Sequence, residues 1–215
     1  MVNTSLLILG GNPPSEDLLF YRVEDADHKI AADGGLIAFL NAGECPDVLV
    51  GDFDSVHDIN ELDKKYPSLQ VVRKDEQETT DFQKALVWIT ENTQSSRIVI
   101  LGALGKRTDH LITNILIASN VDECIEITID DDMEWMRRVT PSCPLSLKGR
   151  SGDLLSILAI KECFGVNTNG LKWDLTEARI GPERIIGQSN QCRSDVVEIK
   201  CKEGAFWVFL EKIRI

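Results

Sequence analysis

Two aspartates with one residue between them are the sharpest chemical feature of this sequence. Asp52 and Asp54 flank Phe53, directly after the short apolar run at 48–50. Residues two apart in an extended chain point to the same side, so both carboxylates can bind one hard cation such as Mg²⁺, which prefers oxygen ligands. A solvated acidic turn explains a D-x-D segment equally well when it is considered alone. The position after an apolar strand keeps the metal site in consideration.

A glycine-rich loop with two basic residues follows a later apolar run. Residues 102–107 are Gly-Ala-Leu-Gly-Lys-Arg, and Asp109 comes soon after Lys106 and Arg107. Glycines let backbone N–H groups approach a phosphate, and the next helix presents its positive end there. Arginine can also hold a phosphate with two hydrogen bonds. The loop is not a P-loop, because G-x-x-x-x-G-K-[ST] is absent, and an ordinary loop with solvated cations is the alternative.

The elements that must position these residues alternate over the first two thirds of the chain. Six continuously apolar runs are typical of strands buried on both faces, and they lie at 5–9, 28–32, 48–50, 69–72, 97–101 and 125–129. Apolar spacing predicts helices over 80–92 and 108–120, the first opened by a capping box of Thr80 and Gln83. Strands alternating with helices predict a Rossmann-like α/β domain with a mainly parallel sheet.

The last third of the chain has a different pattern. Short runs separated by turn residues predict an all-β sandwich, and they lie at 145–147, 154–160, 165–168, 184–187, 196–200 and 205–213. Pro141 and Pro144 bracket a linker, so we predict an α/β domain over 1–138 and a β-sandwich domain over 139–215. We expect Trp173 and Trp207 to lie in the core.

Acidic residues follow several of the predicted parallel strands, where ligands of open α/β sheets bind. Asp33 follows the second run, Asp52 and Asp54 follow the third, and the basic loop follows the fifth. Asp81 opens a helix, a position that the helix dipole alone would explain. Taken together, the paired carboxylates and the basic loop indicate metal-assisted phosphoryl or pyrophosphoryl transfer.

Composition and charge exclude several classes of partner. The 215 residues carry a net charge of −12 with a pI near 4.7, which repels nucleic acid and anionic membrane surfaces. No apolar run approaches the roughly 18 residues that a membrane span needs, and we expect no signal peptide. The six cysteines show no zinc spacing, so we expect buried, reduced thiols and a cytoplasmic protein.

Six segments in order along both predicted domains resemble the thiamine pyrophosphokinase (thiamine diphosphokinase) family. They are Ala32-Asp33-Gly34-Gly35, Gly51-Asp52-Phe53-Asp54-Ser55, Gln77-Glu78-Thr79-Thr80-Asp81-Phe82, Leu101-Gly102-Ala103-Leu104-Gly105-Lys106-Arg107-Thr108-Asp109-His110, Asn169-Gly170-Leu171-Lys172-Trp173-Asp174-Leu175 and Ser189-Asn190. The resemblance implies Mg²⁺-dependent transfer of the pyrophosphoryl group of ATP to the hydroxyethyl oxygen of thiamine, giving thiamine diphosphate and AMP. It also implies a homodimer with active sites at the subunit interface, in which 139–215 binds thiamine and dimerises.

The resemblance implies three groups of site residues. The metal ligands would be Asp33, Asp52 and Asp54. The residues at the phosphates would be Lys106, Arg107 and Asp109. The residues near thiamine and its hydroxyl would be Gln77, Asp81, Ser189 and Asn190. Some family members carry an aromatic residue shortly after the Ser-Asn pair, where this sequence has Cys192.

Three other functions are compatible with parts of the pattern. The segment 52–56 resembles the D-x-D-x-[TV] signature of haloacid dehalogenase phosphatases, with Asp52 as nucleophile and Asp54 as acid, although that motif usually ends the first strand. A metal-dependent glycosyltransferase would also use a D-x-D segment. A non-catalytic nucleotide-binding module would bind ATP without turnover. The products distinguish these classes, because pyrophosphoryl transfer releases AMP and hydrolysis releases inorganic phosphate.

Overall fold

The chain forms two compact units. The computed structural model describes residues 2–53, 62, 64–184 and 187–212, and its strands belong to one mixed and one antiparallel sheet. The first unit comprises Met1–Ile117 and Ile129–Asp132, and the second comprises Ala118–Thr128 and Met133–Ile215. The domain boundary at residue 138 stays a prediction. The Rossmann-like character of the first domain also stays a prediction.

The first unit alternates strands and helices. Its elements are β1 (Thr4–Ile8), α1 (Glu16–Glu24), β2 (His28–Ala32), α2 (Leu36–Asn41), β3 (Val48–Gly51), β4 (Gln70–Arg73), α3 (Asp81–Asn92) and β5 (Arg97–Leu101). The strands pair in parallel in the order β5-β1-β2-β3-β4. Helix α4 (Thr108–Ser119) and strand β6 (Glu126–Asp130) cross the division between the units. The predicted parallel pairing is therefore found, with all carboxyl ends of these five strands at one edge.

Burial explains why the apolar runs became strands. Every residue of β1 and β3 is buried, as expected for strands covered on both faces. Strand β4 differs, because Gln70 and Arg73 are exposed and the strand lies at the end of the parallel order. The prediction of burial on both faces was wrong for this edge strand.

The helices that carry site residues begin where the sequence predicts. Thr80 accepts a hydrogen bond from the backbone N–H of Gln83, whose side chain accepts one from the N–H of Thr80, so the capping box is confirmed. Helix α4 begins at Thr108. Helix α1 was not predicted, because Phe20 and Tyr21 are exposed and blur its apolar stripe.

The second unit is built from antiparallel strands. They are β7 (Glu134–Val139), β8 (Leu145–Lys148), β9 (Leu154–Leu158), β10 (Cys163–Asn169), β11 (Ala178–Ile180), β12 (Gly187–Gln191), β13 (Val196–Lys200) and β14 (Phe206–Glu211). One set pairs in the order β12-β9-β14-β7 and the other in the order β11-β10-β13-β8. Leu155 and Phe206 from the first set and Val197 from the second belong to one apolar core.

Some sequence predictions for the second unit need correction. Trp207 is buried as expected, but the side chain of Trp173 is 57% exposed, with Lys172 Nζ 4.5 Å from its ring centre. The core position predicted for Trp173 was wrong. All six cysteines are unpaired, but only Cys163, Cys192 and Cys201 are buried. No helix in the described ranges is long and apolar enough to cross a membrane.

Candidate active site

A cavity of about 730 Å³ opens in the first unit at the carboxyl ends of β1, β2 and β5. This edge of a parallel sheet is where ligands of α/β proteins bind. The predicted site residues that line the cavity are Asp33, Asp81, Lys106, Arg107 and Asp109. Acidic and basic side chains from three separate segments therefore meet around one space.

Two glycine-containing loops pack directly on one another beside this cavity. The N–H of Gly11 donates to Gly102 O at 2.8 Å, and the N–H of Asn12 donates to Leu104 O at 2.9 Å. A Cβ on Gly11 would lie only 2.2 Å from Gly102 O, so no larger residue fits there. The close approach fixes the basic loop on the backbone that follows β1.

Asp33 is held in an unusual state directly after β2. Its φ is +40°, a left-handed conformation that costs free energy for residues other than glycine but that aspartate tolerates better than most. Its Oδ1 is buried and has no hydrogen-bond partner in the described part of the chain. A strained backbone and an unsatisfied buried carboxylate oxygen together mark Asp33 as a candidate ligand-binding residue.

Asp81 lies next to Asp33 and to the carboxyl end of β3. A Cβ built on Gly51 would lie 3.3 Å from Asp33 Cβ and 3.4 Å from Asp81 Oδ1. Burial raises the pKa of Asp81, nearby Asp52 and Asp33 raise it further, and Lys84 partly offsets these effects. The three carboxylates therefore form one electrostatic cluster.

Lys84 is a site residue that sequence reasoning missed. Its ammonium lies 3.1 Å from Asp81 Oδ1 and 3.9 Å from Asp52 Oδ2. The available signal was the i,i+3 spacing of Asp81 and Lys84 in the first turn of α3, a spacing that brings helical side chains together.

The two basic residues of the loop have different partners, because Arg107 pairs with a carboxylate and Lys106 binds a backbone carbonyl. The exposed Arg107 guanidinium donates to both oxygens of Asp109, and this hydrogen bonding lowers the pKa of Asp109 to about 2. Lys106 Nζ donates to Gly10 O at 2.7 Å. Asp109 thus orients Arg107, and Lys106 ties the loop to the backbone after β1.

The donor chemistry of this cluster suits a magnesium ion. Among the described residues no group of three or more His, Cys, Asp or Glu side chains is close enough to hold a metal. Asp54, the second aspartate of the D-x-D segment, lies outside the described residues. Mg²⁺ typically takes one or two carboxylates and completes its shell with water and phosphate oxygens. The unpartnered Oδ1 of Asp33 together with Asp52 fits that requirement.

The remaining predicted site residues are not among those that line this cavity. Gln77 is exposed in the segment before α3 and is not among the lining residues. In the second unit, Ser189 has a φ of +56° and its N–H donates to Ser156 Oγ. Asn190 accepts from the N–H of Trp173 and donates to its carbonyl, so its side chain holds the exposed Trp173 segment.

Comparison with models of protein families shows to which family this chain belongs. Residues 21–129 match the family model described as thiamin pyrophosphokinase, catalytic domain, and residues 143–206 match the model described as thiamin pyrophosphokinase, vitamin B1 binding domain. The chain belongs to the thiamin pyrophosphokinase family. The resemblance inferred from the six sequence segments is therefore confirmed.

Individual relatives agree with this assignment. The thiamine pyrophosphokinase of Bacillus subtilis (strain 168) is 34% identical over 155 residues, which cover 70% of this chain and 72% of that protein. Thiamine pyrophosphokinase 2 of Arabidopsis thaliana is 30% identical over 175 residues, or 75% of this chain. The match covers 64% of the Arabidopsis protein, so this chain spans slightly less than two thirds of that relative's length.

Solved structures of the family share the fold. The crystal structure of thiamine pyrophosphokinase from Bacillus subtilis superimposes with a TM-score of 0.82 at 24% identity, covering 99% of this chain and 100% of that one. The thiamin pyrophosphokinase from Candida albicans superimposes with a TM-score of 0.78 at 16% identity, covering 98% of this chain and 90% of that one. Similarity at these identities demonstrates a common fold.

Proposed function

We propose that this chain is a thiamine pyrophosphokinase, which transfers the pyrophosphoryl group of ATP to thiamine and releases AMP and thiamine diphosphate. The observation that carries the proposal is the meeting of an acidic cluster and a basic loop around one cavity. Asp33 and Asp81 line that cavity together with Arg107, and Asp52 belongs to the same acidic cluster. Membership of the family supplies the identity of the two substrates.

The reaction joins an alcohol oxygen to phosphorus. The hydroxyethyl oxygen of thiamine attacks the β-phosphorus of ATP, and the bond from that phosphorus to the α,β-bridging oxygen breaks. AMP leaves with the electron pair of that bond, and the hydroxyl proton passes to the Asp81 carboxylate. The raised pKa of Asp81 makes its carboxylate a better proton acceptor than an ordinary aspartate, which suits this role. Gln77 is the proposed neighbour of Asp81 at the thiamine.

The phosphates and the metal have separate proposed partners. Lys106 and Arg107 face the phosphates of ATP, and Asp109 holds the Arg107 guanidinium in place. The proposed Mg²⁺ ligands are Asp33, Asp52 and Asp54, of which Asp54 is assigned from the sequence alone. When bound, the ion neutralises phosphate charge and orients the pyrophosphoryl group for in-line displacement.

The remaining sequence expectations also enter the proposal. Residues 1–138 form a Rossmann-like catalytic domain, and 139–215 form a β-sandwich domain that binds thiamine through Ser189 and Asn190 and dimerises. The protein is a cytoplasmic homodimer with active sites at the subunit interface. Light scattering at micromolar concentration tests the dimer, and a fully active monomer would contradict it.

The decisive experiment is a product assay. The purified protein is incubated with ATP, Mg²⁺ and thiamine, and chromatography is expected to give AMP and thiamine diphosphate in equal amounts. Asp81→Asn should lower kcat by at least about 100-fold because the proton acceptor is lost. Glu91→Gln, at the opposite end of α3 on its exposed side, is the matched control and should retain normal turnover.

Other results of the product assay would favour one of the alternative functions. Phosphate release that is indifferent to thiamine would favour a phosphatase and contradict the proposal. ATP binding without any turnover would favour a non-catalytic nucleotide-binding module. Wild-type kcat in folded Asp81→Asn would remove Asp81 from the mechanism.

A further inference from the structure

Lys84 is a buried lysine within the acidic cluster. Only 4% of the residue is exposed. Because lysine is almost never buried without a partner, its ammonium must be paired. It lies one turn after Asp81 in α3, next to the buried apolar residues Ala85 and Leu86. Its side chain is 2% exposed, so the stem is buried, and its ammonium lies beside Asp81, which lines the cavity.

The ammonium contacts carboxylates from two separate elements. It lies 3.1 Å from Asp81 Oδ1, at the start of α3, and 3.9 Å from Asp52 Oδ2, directly after β3. The proposed function gives these carboxylates different tasks, because Asp81 accepts the hydroxyl proton and Asp52 binds the metal. Lys84 therefore links the group at the nucleophile to a group at the metal and phosphates.

The carboxylate of Asp81 also lies close to the carboxyl end of β3. A Cβ at Gly51 would lie 3.4 Å from Asp81 Oδ1, the same oxygen that Lys84 contacts. An ammonium ion has three N–H donors and no acceptor, so it can bridge one oxygen from each of two carboxylates. The second oxygen of each carboxylate can then contact another group.

We propose that Lys84 is a positioning residue, whose buried ammonium fixes the carboxylates of Asp81 and Asp52 relative to one another for pyrophosphoryl transfer. The proposal rests on the proposed function. The ammonium also offsets negative charge of the cluster, so an incoming cation meets less negative charge than the carboxylates alone would present. Loss of the ammonium should therefore slow the reaction without weakening metal binding.

The test compares three variants of Lys84 with a control. Lys84→Met retains the length of the side chain and removes the charge, Lys84→Gln retains an N–H donor, and Lys84→Arg retains the cation. Lys148→Met, at an exposed position of β8, is the matched control. Each protein is assayed for kcat and KM for ATP, for Mn²⁺ affinity without nucleotide by calorimetry, and for thermal unfolding.

The expected result separates turnover from metal binding. Lys84→Met and Lys84→Gln should lose kcat by about 100-fold, the scale of a small misplacement of a reacting group, with little change in KM for ATP. Mn²⁺ affinity should stay constant or rise by up to roughly fivefold, because one nearby positive charge has gone. Lys84→Arg should recover at least about a tenth of wild-type kcat, because the cation is restored.

Three results would overturn the proposal. One is kcat within a factor of about three of wild type in folded Lys84→Met or Lys84→Gln. Another is a joint loss of kcat, Mn²⁺ affinity and unfolding temperature with no recovery in Lys84→Arg, which would give Lys84 a purely structural role. Failure of all three variants to fold would lead to the same conclusion. Failure of the proposed function is recognised separately, because the wild-type protein would then form no thiamine diphosphate.

Discussion

Lys84 in the first unit and Arg138 in the second are both buried cations, and their partners are of different kinds. Lys84 faces the carboxylates of Asp81 and Asp52 at the edge of the cavity. Arg138, which is 1% exposed, donates to backbone carbonyls of residues 118–125 over distances of 2.5 to 3.5 Å. The charge of Lys84 is therefore balanced by carboxylates, whereas the charge of Arg138 is stabilised by neutral carbonyl groups.

The carbonyls around Arg138 come from the end of α4 and the turn after it. The last carbonyls of a helix lack intrahelical partners, and a cation at that end also interacts favourably with the helix dipole. Burial lowers the pKa of Arg138 to about 10, so the guanidinium stays charged near neutral pH. Arg138 therefore holds the end of α4 and the turn after it together through five hydrogen bonds, which is a structural task.

The difference shows where this molecule tolerates unfavourable interactions. Asp33, in the first unit, combines a left-handed backbone with a buried oxygen that has no partner in the described ranges. Arg138 Nε is also buried without a partner in the described ranges, but of the two residues it is Asp33 that lines the cavity, where a ligand can relieve the cost. The comparison predicts that substitutions at Arg138 act on stability, whereas substitutions in the acidic cluster act on turnover.

The largest expected effect comes from Arg138→Met. The variant removes the donor of five hydrogen bonds to carbonyls of residues 118–125, so we expect the free energy of unfolding to fall by about 3 kcal/mol or more. For a protein of this size that is a lowering of the unfolding temperature by roughly 6–12 °C. Thermal and urea unfolding measure the change.

Arg150→Met is the matched control for that substitution. Arg150 is half exposed in the same unit and pairs with Asp153 at 3.3 Å. An exposed ion pair of this kind contributes at most about 1 kcal/mol. Equal losses in the two variants would contradict the structural role of Arg138, and the comparison with Lys84 would then fail.

A smaller effect of opposite sign is expected for Asp33→Asn. Asparagine also tolerates the left-handed backbone, and it removes a buried negative charge next to Asp81. We expect the free energy of unfolding to rise by about 0.5–1 kcal/mol while turnover falls by at least about 100-fold, a trade of activity for stability. Urea unfolding and the product assay measure the two quantities in one preparation.

Asp75→Asn is the control for this second substitution. Asp75 is exposed and pairs with Arg73 at 2.7 Å, so neither stability nor turnover should change appreciably. A folded Asp33→Asn protein that is clearly less stable than wild type would show that the unpartnered oxygen is not a cost. The contrast between the two units would then rest on Lys84 and Arg138 alone.

The two buried cations also show how far sequence reasoning reaches. The parallel strands, the capping box at Thr80 and the position of Asp33 follow from local patterns, because parallel strands end at one edge of a sheet. The pairing of Lys84 with Asp52 could not be predicted, because it depends on how closely α3 approaches β3. Strand β7 was missed for a related reason, since its arginines 137 and 138 look like surface residues until their buried partners are known.

The exposed position of Trp173 illustrates the same limit. The backbone of Trp173 is held by the amide oxygen and the amide nitrogen of the Asn190 side chain, which lies 17 positions away in the sequence. Tryptophan in a β-rich segment is usually buried, so composition alone predicted a core residue. The hydrogen bonds to Asn190 fix the backbone of Trp173, and such a contact between distant residues is not visible in the local sequence pattern.

The smallest expected effect concerns the thiols in the core of the second unit. Burial raises the pKa of Cys163 to about 11 and that of Cys201 to about 12, from an ordinary value of 9.0. The unfolded chain therefore ionises these thiols at lower pH than the folded one. Their contribution to stability is fully present below pH 9 and is lost as pH rises from 9.0 towards 12.

Two measurements test this last expectation. Iodoacetamide at pH 8, followed by peptide mapping, should modify the exposed Cys124 first and leave Cys163 and Cys201 intact, since only thiolates react. The free energy of unfolding should fall between pH 9 and pH 10.5, and Cys201→Ala should reduce that slope, whereas Cys124→Ser should not. An unchanged slope in Cys201→Ala would show that other groups govern alkaline unfolding. Because Arg138 supports the same unit, Arg138→Met should expose both buried thiols to iodoacetamide in proportion to its loss of stability.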